Sequence, residues 1–308
     1  MLHPKYWATW FGFGVWWSLA QLPFTWQMRL GTCLGFAMRR IAKRRTAIAA
    51  RNIELCFPEL TAAQRQALLH ATLDSVGKAF FETGMAWFLP IPRLRKLFTI
   101  EGIEYVQQAE AQGQGVILLG MHFTHIDVGG AILCQSHTLD GSYRTHANPV
   151  YDYVQRRGRE RHNSTSVAIP RGDVRSMVRT LKNGRTIWYA PDQDYGREHS
   201  VFAPFFGVPA ATVTATSRLA RMGKARVMPY THYRRPDGRG YIAKIAPPLD
   251  NFPSEDELAD ACRINTLIAT AIRVAPEQYL WVHRRFKTRP EGEVDLYASA
   301  GIGAGRRT

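Results

Sequence analysis

A histidine and an aspartate stand five positions apart in the segment 120–127, and their types could support general base chemistry. His122 falls in a polar turn after a short apolar run. Asp127 falls at the start of a helical pattern, where the helix dipole favours a carboxylate. From there Asp127 can accept a hydrogen bond from the imidazole, whose other ring nitrogen can then deprotonate a substrate hydroxyl. The spacing alone leaves a purely structural histidine as the alternative.

His125 lies between these two residues and suggests a metal site. The sequence places no third imidazole or glutamate with them, so we expect no bound metal. The four cysteines are scattered without the spacing of a zinc finger, which predicts reduced thiols and no disulfide framework. They are Cys33, Cys56, Cys134 and Cys262.

Short apolar runs and helical patterns alternate from residue 115 onward, and runs of this length predict buried strands. The predicted strands cover 115–119, 186–190, 226–233 and 241–245. The turn Pro236-Asp237-Gly238 joins the last two as a hairpin. The expected fold is therefore an α/β sandwich with a mixed sheet flanked by helices.

Helical patterns fill the segments between these strands. A longer helix begins where Thr61 and Gln64 have capping-box spacing, and it ends near Pro90. The remaining predicted helices cover 127–135, 174–181 and 254–274. Asp192 and Asp194 follow the end of the second predicted strand, at the sheet edge that also carries His122, where open α/β sheets place their sites.

The N-terminus contains nineteen residues without a charge, from Tyr6 to Phe24. As a helix they would extend roughly 28 Å, about the thickness of a bilayer core, so we expect a hydrophobic anchor helix that spans the membrane. Five tryptophans between Trp7 and Trp26 also suit a helix lying in the membrane plane, and a buried core helix is a third alternative. The predicted division is an anchor at 1–30, a main domain at 31–297 and a disordered tail at 298–308.

The chain is strongly basic, with 40 Lys and Arg against 25 Asp and Glu, a formal charge of +15 and a pI near 10.0. This favours a polyanionic partner: nucleic acid, anionic lipid or an acidic protein. Basic residues cluster behind the expected anchor, which predicts a cytoplasmic body held against anionic lipid. They are Arg39, Arg40, Lys43, Arg44, Arg45 and Arg51.

Several long motifs in order resemble the lipid A biosynthesis acyltransferases, which are the lauroyl, palmitoleoyl and myristoyl transferases of the lysophospholipid and glycerol-phosphate acyltransferase superfamily. The resemblance covers nearly the whole chain. Beyond the tryptophan-rich N-terminus it rests on RNIELCFP at 51–58, GMHFTHIDVG at 120–129, YR through NP at 143–149, WYAPDQDYG at 188–196, VFAPFFG at 201–207 and APEQY through HRRFKTRP at 275–290.

The resemblance implies a glycerol-phosphate-acyltransferase-like sandwich in which His122 and Asp127 form a catalytic dyad. Arg144 and Arg159 lie where the superfamily places a phosphate-binding arginine, and a guanidinium suits that task because it binds phosphate bidentately. Asp192 corresponds to a third motif normally built around Pro-Glu-Gly, which makes it a candidate for substrate binding. Asp127 stands where many lauroyl-type members carry Glu and myristoyl-type relatives carry Asp, so the choice of paralogue stays open.

The implied reaction moves a fatty acyl group from acyl carrier protein to the hydroxyl of a 3-hydroxyacyl chain on a Kdo-bearing lipid A precursor. It needs no metal or organic cofactor, and it places the protein at the bacterial inner membrane with no nucleic acid partner. Five cations in the segment 283–289 could serve the acidic carrier or the lipid phosphates.

Two alternatives remain. One is an acyl-CoA-dependent transferase acting on another membrane glycolipid or on a lysophospholipid. The other is a basic, membrane-tethered module without catalysis, whose binding would depend strongly on salt.

Overall fold

The computed structural model describes residues 1–143, 145–170, 172–298 and 302. Within these residues the α-helices are α1 (Trp7–Ala20), α2 (Phe24–Ile41), α3 (Lys43–Cys56), α4 (Ala62–Phe88), α5 (Ile91–Arg95), α6 (Ile103–Ala111), α7 (Ile126–Ser136), α8 (Pro149–Glu160), α9 (Val174–Lys182), α10 (Ala215–Gly223) and α11 (Glu257–Val274). The strands are β1 (Phe98–Glu101), β2 (Val116–Leu119), β3 (Leu139–Tyr143), β4 (Ala168–Pro170), β5 (Thr186–Tyr189), β6 (Ser200–Phe205), β7 (Val208–Val213), β8 (Arg226–Arg234) and β9 (Tyr241–Ile245).

Seven strands form one sheet in the order β1-β9-β8-β2-β5-β3-β4, and β6 pairs with β7 in a separate hairpin. Neighbouring strands of the large sheet are parallel except β8 and β9, which are antiparallel. The predicted mixed α/β sheet is confirmed, and so is the hairpin at Pro236-Asp237-Gly238. The prediction missed β1, β3, β4 and the β6–β7 hairpin.

Strand β2 lies in the middle of the sheet, and all four of its side chains are buried apolar residues. Because side chains alternate along a strand, Val116 and Leu118 face one helical layer while Ile117 and Leu119 face the other. The first layer contains α1, α6, α7 and α8; the second contains α3, α9, α10 and α11. The sheet is therefore covered on both sides.

Helix α4 begins with the predicted capping box, in which Thr61 and Gln64 bond to each other's backbone N–H. Its N-terminal half packs in the second layer and its C-terminal half in the first. Helix α2 lies directly against α4 because Gly35 has no side chain: a Cβ there would lie 2.4 Å from the Cα of Asp74. The second N-terminal helix is thus packed onto the body.

The apolar N-terminus does not form one long helix. Helix α1 ends at Ala20, and α2 begins after Pro23, which lacks a backbone N–H to continue the hydrogen-bond ladder. In the part of the chain that the structure describes, no helix has both the length and the apolar character needed to cross a membrane. The expected spanning anchor therefore has no support among the described helices.

Candidate active site

Two loops leave the sheet side by side at the carboxyl ends of β2 and β5. These strands are parallel neighbours, and Leu119 is paired in register with Tyr189. His122 and Asp192 each stand three residues beyond that pair. Equal offsets from paired positions bring the two side chains together at the sheet edge where α/β proteins place ligands.

His122 and Asp192 make two hydrogen bonds. The backbone N–H of His122 donates to Oδ2 of Asp192 at 2.8 Å, and Nδ1 of the imidazole lies 2.6 Å from Oδ1. The carboxylate of Asp192 is fully buried, whereas the imidazole is 20% exposed. The carboxylate thus fixes both the backbone and the ring of His122.

The protonation state of this pair follows from its surroundings. Burial would raise the pKa of Asp192, but the charge of His122 and the hydrogen bonds from its ring and backbone outweigh burial and lower that pKa to about 2. An ionised carboxylate can only accept hydrogen bonds, so Nδ1 of His122 carries the proton. In the neutral form of the imidazole, the lone pair is then on Nε2, as a general base requires.

The loop that carries His122 is fixed on its other side by the segment 278–280. The backbone N–H of Leu280 donates to the carbonyl of His122 at 3.0 Å, and that of Thr124 donates to the carbonyl of Gln278 at 2.8 Å. The hydroxyl of Thr124 also accepts a hydrogen bond from Arg234, which forms a buried ion pair with Glu82. The loop of His122 is therefore fixed through its backbone and through Thr124.

Asp127 does not make the hydrogen bond to His122 that the spacing predicts, within the contacts of the described residues. Its Oδ1 accepts from Nε of Arg159 at 2.9 Å and from the indole N–H of Trp87 at 3.3 Å. It lies in the first turn of α7, which packs against α4 and α8, and those helices carry Trp87 and Arg159. The carboxylate that contacts the imidazole is instead Asp192, expected only as a substrate-binding residue.

A cavity of about 820 Å³ opens at this sheet edge. Its wall includes His122, Asp127 and Arg159, together with side chains from both helical layers. Apart from these groups the wall is largely apolar, with contributions from Ile126, Ala131, Leu139, Met177, Trp188 and Leu219. The indole of Trp188 meets the imidazole edge to face at 6.0 Å. A histidine in the wall of a large and mostly apolar cavity suits a substrate with a hydrocarbon chain.

A family model described as bacterial lipid A biosynthesis acyltransferase matches residues 1–288. The chain belongs to this family. The lipid A biosynthesis palmitoleoyltransferase of Escherichia coli K12 is 44% identical over 96% of both chains. The lauroyltransferase of the same organism is 43% identical over 96% of this chain and 97% of its own. The E. coli myristoyltransferase is 28% identical over 96% of this chain and 91% of its own.

Among solved structures, the 1-acyl-sn-glycerophosphate acyltransferase of Thermotoga maritima is 14% identical, with a TM-score of 0.38 over 82% of this chain and 98% of that chain. A TM-score this low carries no argument, so the predicted glycerol-phosphate-acyltransferase-like sandwich stays a prediction beyond the α/β class. The relatives' names support an acyltransferase, and the chain is an enzyme of that class.

The other residues singled out in the sequence of this acyltransferase contact groups other than the His122–Asp192 pair or lie outside the described residues. Arg144 lies outside the described residues, as does most of the predicted tail 298–308. His125 is buried, and its Nε2 lies 3.2 Å from the carbonyl of His232. Asp194 accepts hydrogen bonds from the backbone and the hydroxyl of Thr288, so it fixes the basic segment 283–289.

Most of the cationic side chains in the segment 283–289 contact other residues of the same protein. Arg285 is buried and donates to the carbonyl of Ala211 and the hydroxyl of Thr212. Arg284 pairs with Asp295 at 3.2 Å, and Arg289 contacts the carbonyl of Pro209 and the carboxylate of Glu293. These contacts tie the segment to the β6–β7 hairpin and give its arginines a structural role.

Proposed function

We propose that this acyltransferase moves a fatty acyl group from acyl carrier protein to a hydroxyl of a Kdo-bearing lipid A precursor. The observation that carries the proposal is the His122–Asp192 pair, whose histidine lines a largely apolar cavity. The names of the relatives support a lipid A precursor as the acceptor. Acyl carrier protein as the donor rests on the reaction that the sequence resemblance implies.

In the first step Nε2 of His122 removes the proton from the hydroxyl of a 3-hydroxyacyl chain already attached to the acceptor. The hydroxyl oxygen attacks the carbonyl carbon of the thioester. As the imidazolium forms, the ionised Asp192 stabilises its charge through Nδ1–H, and no third protein group is needed as nucleophile.

In the second step the tetrahedral intermediate collapses. The C–S bond breaks, an ester remains on the acceptor, and the proton held on Nε2 returns to the departing sulfur. The carrier leaves as a free thiol. Atoms and protons balance without a cofactor, and His122 regains its starting state.

The ion pair between Asp127 and Arg159 lies in the cavity wall beside the base. The Asp127 charge raises the pKa of Arg159, so its guanidinium is always charged. Among the described contacts only Nε of Arg159 is used, which leaves both Nη groups to bind a phosphate or sugar acid of the acceptor bidentately. We propose the same kind of contact for Arg144, and we assign Asp127 to orienting Arg159.

We also propose that α1 and α2 attach the enzyme to the surface of the bacterial inner membrane, with the catalytic domain on the cytoplasmic side. Large apolar side chains are exposed along both helices: Trp7, Phe11, Trp17, Trp26, Phe36 and Ile41. Arg40, Lys43 and Arg44 follow, and they are exposed as well. This combination suits insertion into the headgroup region of an anionic bilayer.

The proposal is tested with purified protein in detergent, a Kdo-bearing lipid A precursor and a panel of acyl carrier proteins charged with different chains. Mass spectrometry of the lipid product is the readout, with His122→Ala in parallel. A gain of one acyl group that disappears in the variant would support the acceptor, the donor and the base together.

No product from any chain, with folded protein, would contradict the proposed donor or acceptor. The same mixture with acyl-CoA in place of the carrier then separates the two. Product from acyl-CoA alone would favour the acyl-CoA-dependent alternative, and an unchanged lipid with either donor would contradict the acceptor.

A further inference from the structure

Three large apolar side chains in the cavity wall are also exposed to solvent: Val167 just before β4, Val174 on α9 and Met222 on α10, at 55%, 48% and 45%. We take this exposed apolar rim as the opening of the cavity. Helices α9 and α10 pack against each other, and both belong to the helical layer opposite α1 and α8. This opening is therefore on the other side of the sheet from the surface that we assign to the membrane.

Helix α9 presents an unpaired basic stripe beside the opening. Arg175, Arg179 and Lys182 stand at positions i, i+4 and i+7, so they share one face of the helix. All three are exposed, and none forms an ion pair with another described residue. Val174 and Met177 of the same helix line the cavity. One helix thus combines a basic outer face with an apolar face toward the substrate.

Helix α10 adds two further arginines. Arg218 lines the cavity and is about half exposed, with Glu257 at 3.1 Å, and Arg221 donates to the carbonyl of Ser254. Two acidic side chains nearby are engaged locally: Asp173 caps α9 through the backbone N–H of Ser176, and Glu257 pairs with Arg218. Exposed Glu198 also lines the cavity wall and lies 3.5 Å from His199. The rim remains predominantly basic.

We propose that the α9–α10 surface, defined by Arg175, Arg179, Lys182, Arg218 and Arg221, docks the acidic carrier protein while its thioester-linked chain enters the cavity between Val174 and Met222. The inference rests on the proposed function, since it assigns a surface to the proposed donor. The three unpaired charges of α9 complement an acidic protein, and the apolar rim receives the chain that such a protein carries. Donor and acceptor would then approach from opposite sides of the sheet.

The test compares two triple variants with the same charge change. The first is Arg175→Glu/Arg179→Glu/Lys182→Glu on α9. The matched control is Arg95→Glu/Lys96→Glu/Arg239→Glu, whose exposed side chains lie near the β1–β9 edge, far in strand order from β5 and β3. Each is assayed with acyl carrier protein and with S-acyl-pantetheine, a thioester without a protein surface, and holo carrier protein binding is titrated by fluorescence anisotropy.

The α9 variant should lower the ratio of kcat/KM for the protein donor over that for S-acyl-pantetheine by about 30-fold, mainly through KM, and weaken carrier binding by a similar factor. Wild-type kcat/KM for the protein donor should fall with added NaCl, and the α9 variant should have lost most of that dependence. The control should keep the wild-type ratio and affinity.

If the two triple variants have the same kcat/KM ratio and the same affinity for the carrier, the proposed docking surface is wrong. Activity of the wild-type enzyme with the carrier would leave the proposed function intact in that case. A wild-type enzyme that neither binds the carrier nor uses it would instead defeat the proposed donor. If the α9 variant loses binding to anionic vesicles and retains carrier binding, the surface faces lipid and the proposal is wrong.

Discussion

The two carboxylates of the site, Asp192 and Asp127, have opposite surroundings, although both lie at the same sheet edge. Asp192 is completely buried and touches His122 through both of its oxygens. Asp127, five residues from His122 in sequence, is slightly exposed in the cavity wall and is paired with Arg159. The comparison shows that strand register, rather than distance along the chain, decides which acid supports the imidazole.

The largest effect is expected for Asp192→Asn. An amide can donate a hydrogen bond to Nδ1 and stabilise the wrong tautomer, in which Nε2 carries the proton. By analogy with such changes in serine protease triads, kcat should fall by about 10³- to 10⁴-fold. Initial rates measure it, with a thermal melt to confirm folding. A loss of less than 10-fold would mean that Asp192 does not orient the base.

Asp127→Asn should have a smaller effect, because its partner is Arg159. We expect kcat/KM for the acceptor to fall by about 10- to 100-fold, with most of the loss in KM. The double variant Asp127→Asn/Arg159→Gln should lose less transition-state stabilisation than the two single variants combined, because the two residues act as one unit. If Asp127→Asn is as inactive as His122→Ala while Asp192→Asn is active, the dyad expected from the sequence is correct after all.

The pH dependence of the free energy of unfolding should distinguish the contribution of Asp192 from those of His232 and His283. Burial, helped by the charge of Arg234, lowers the pKa of His232 to about 3, and burial lowers that of His283 to about 4 although Asp192 opposes it. Unfolded chains bind protons on histidine below pH ~6.5, so the free energy of unfolding should fall below that pH by up to about 1.4 kcal/mol per pH unit for each such histidine.

Asp192 contributes to the free energy of unfolding in a different pH range. Its pKa is about 2 in the folded protein and ~3.9 in an unfolded chain, so its stabilisation is complete above pH ~4 and is lost as pH falls toward 2. In denaturant titrations the fall in stability between pH 4 and 2 should therefore be smaller for Asp192→Asn than for wild type. Between pH 7 and 4.5 the slope of stability against pH reports on the buried histidines instead. His232→Asn should reduce that slope, and an unchanged slope would show that His232 is protonated in the folded state.

The smallest effect concerns the wall near Asp127. Gly130 lies one helical turn further along α7 and lines the cavity, and a Cβ added there would meet nothing within 4 Å. Gly130→Leu should fill part of the cavity and shift donor preference toward shorter acyl chains with little change in the best rate. Gly12→Leu, also without a neighbour within 4 Å, is the control in α1. An unchanged chain preference would place the acyl chain elsewhere in the cavity.

Much of the fold followed from local patterns, because the central strands are continuous apolar runs and the capping box at Thr61 is a strong local signal. Strands β3 and β4 were missed because Asp140, Gly141 and Ser142 in β3, and the proline in the three-residue β4, give no such run. The N-terminal break at Pro23 was visible in the sequence, but the apolar composition around it predicted a longer helix.

The site was predicted in its parts and not in its pairing. His122 and Asp192 were both assigned to the correct sheet edge, and their equal distance from two strand ends was the signal that could have joined them. That signal becomes decisive only when β2 and β5 are known to be neighbours in register, which is a long-range fact. The arginines of 283–289 were likewise beyond local reasoning, because their partners lie on β7 and in the segment 293–295.

The most direct test of the central claim is the tautomer of His122, measured by ¹⁵N NMR of histidine-labelled protein, with His122→Gln used to assign its signals. The structure predicts a proton on Nδ1, strongly deshielded by its bond to Asp192. That signal should persist in Asp127→Asn and disappear in Asp192→Asn. Loss of the signal in Asp127→Asn, with retention in Asp192→Asn, would contradict the account and return Asp127 to the dyad.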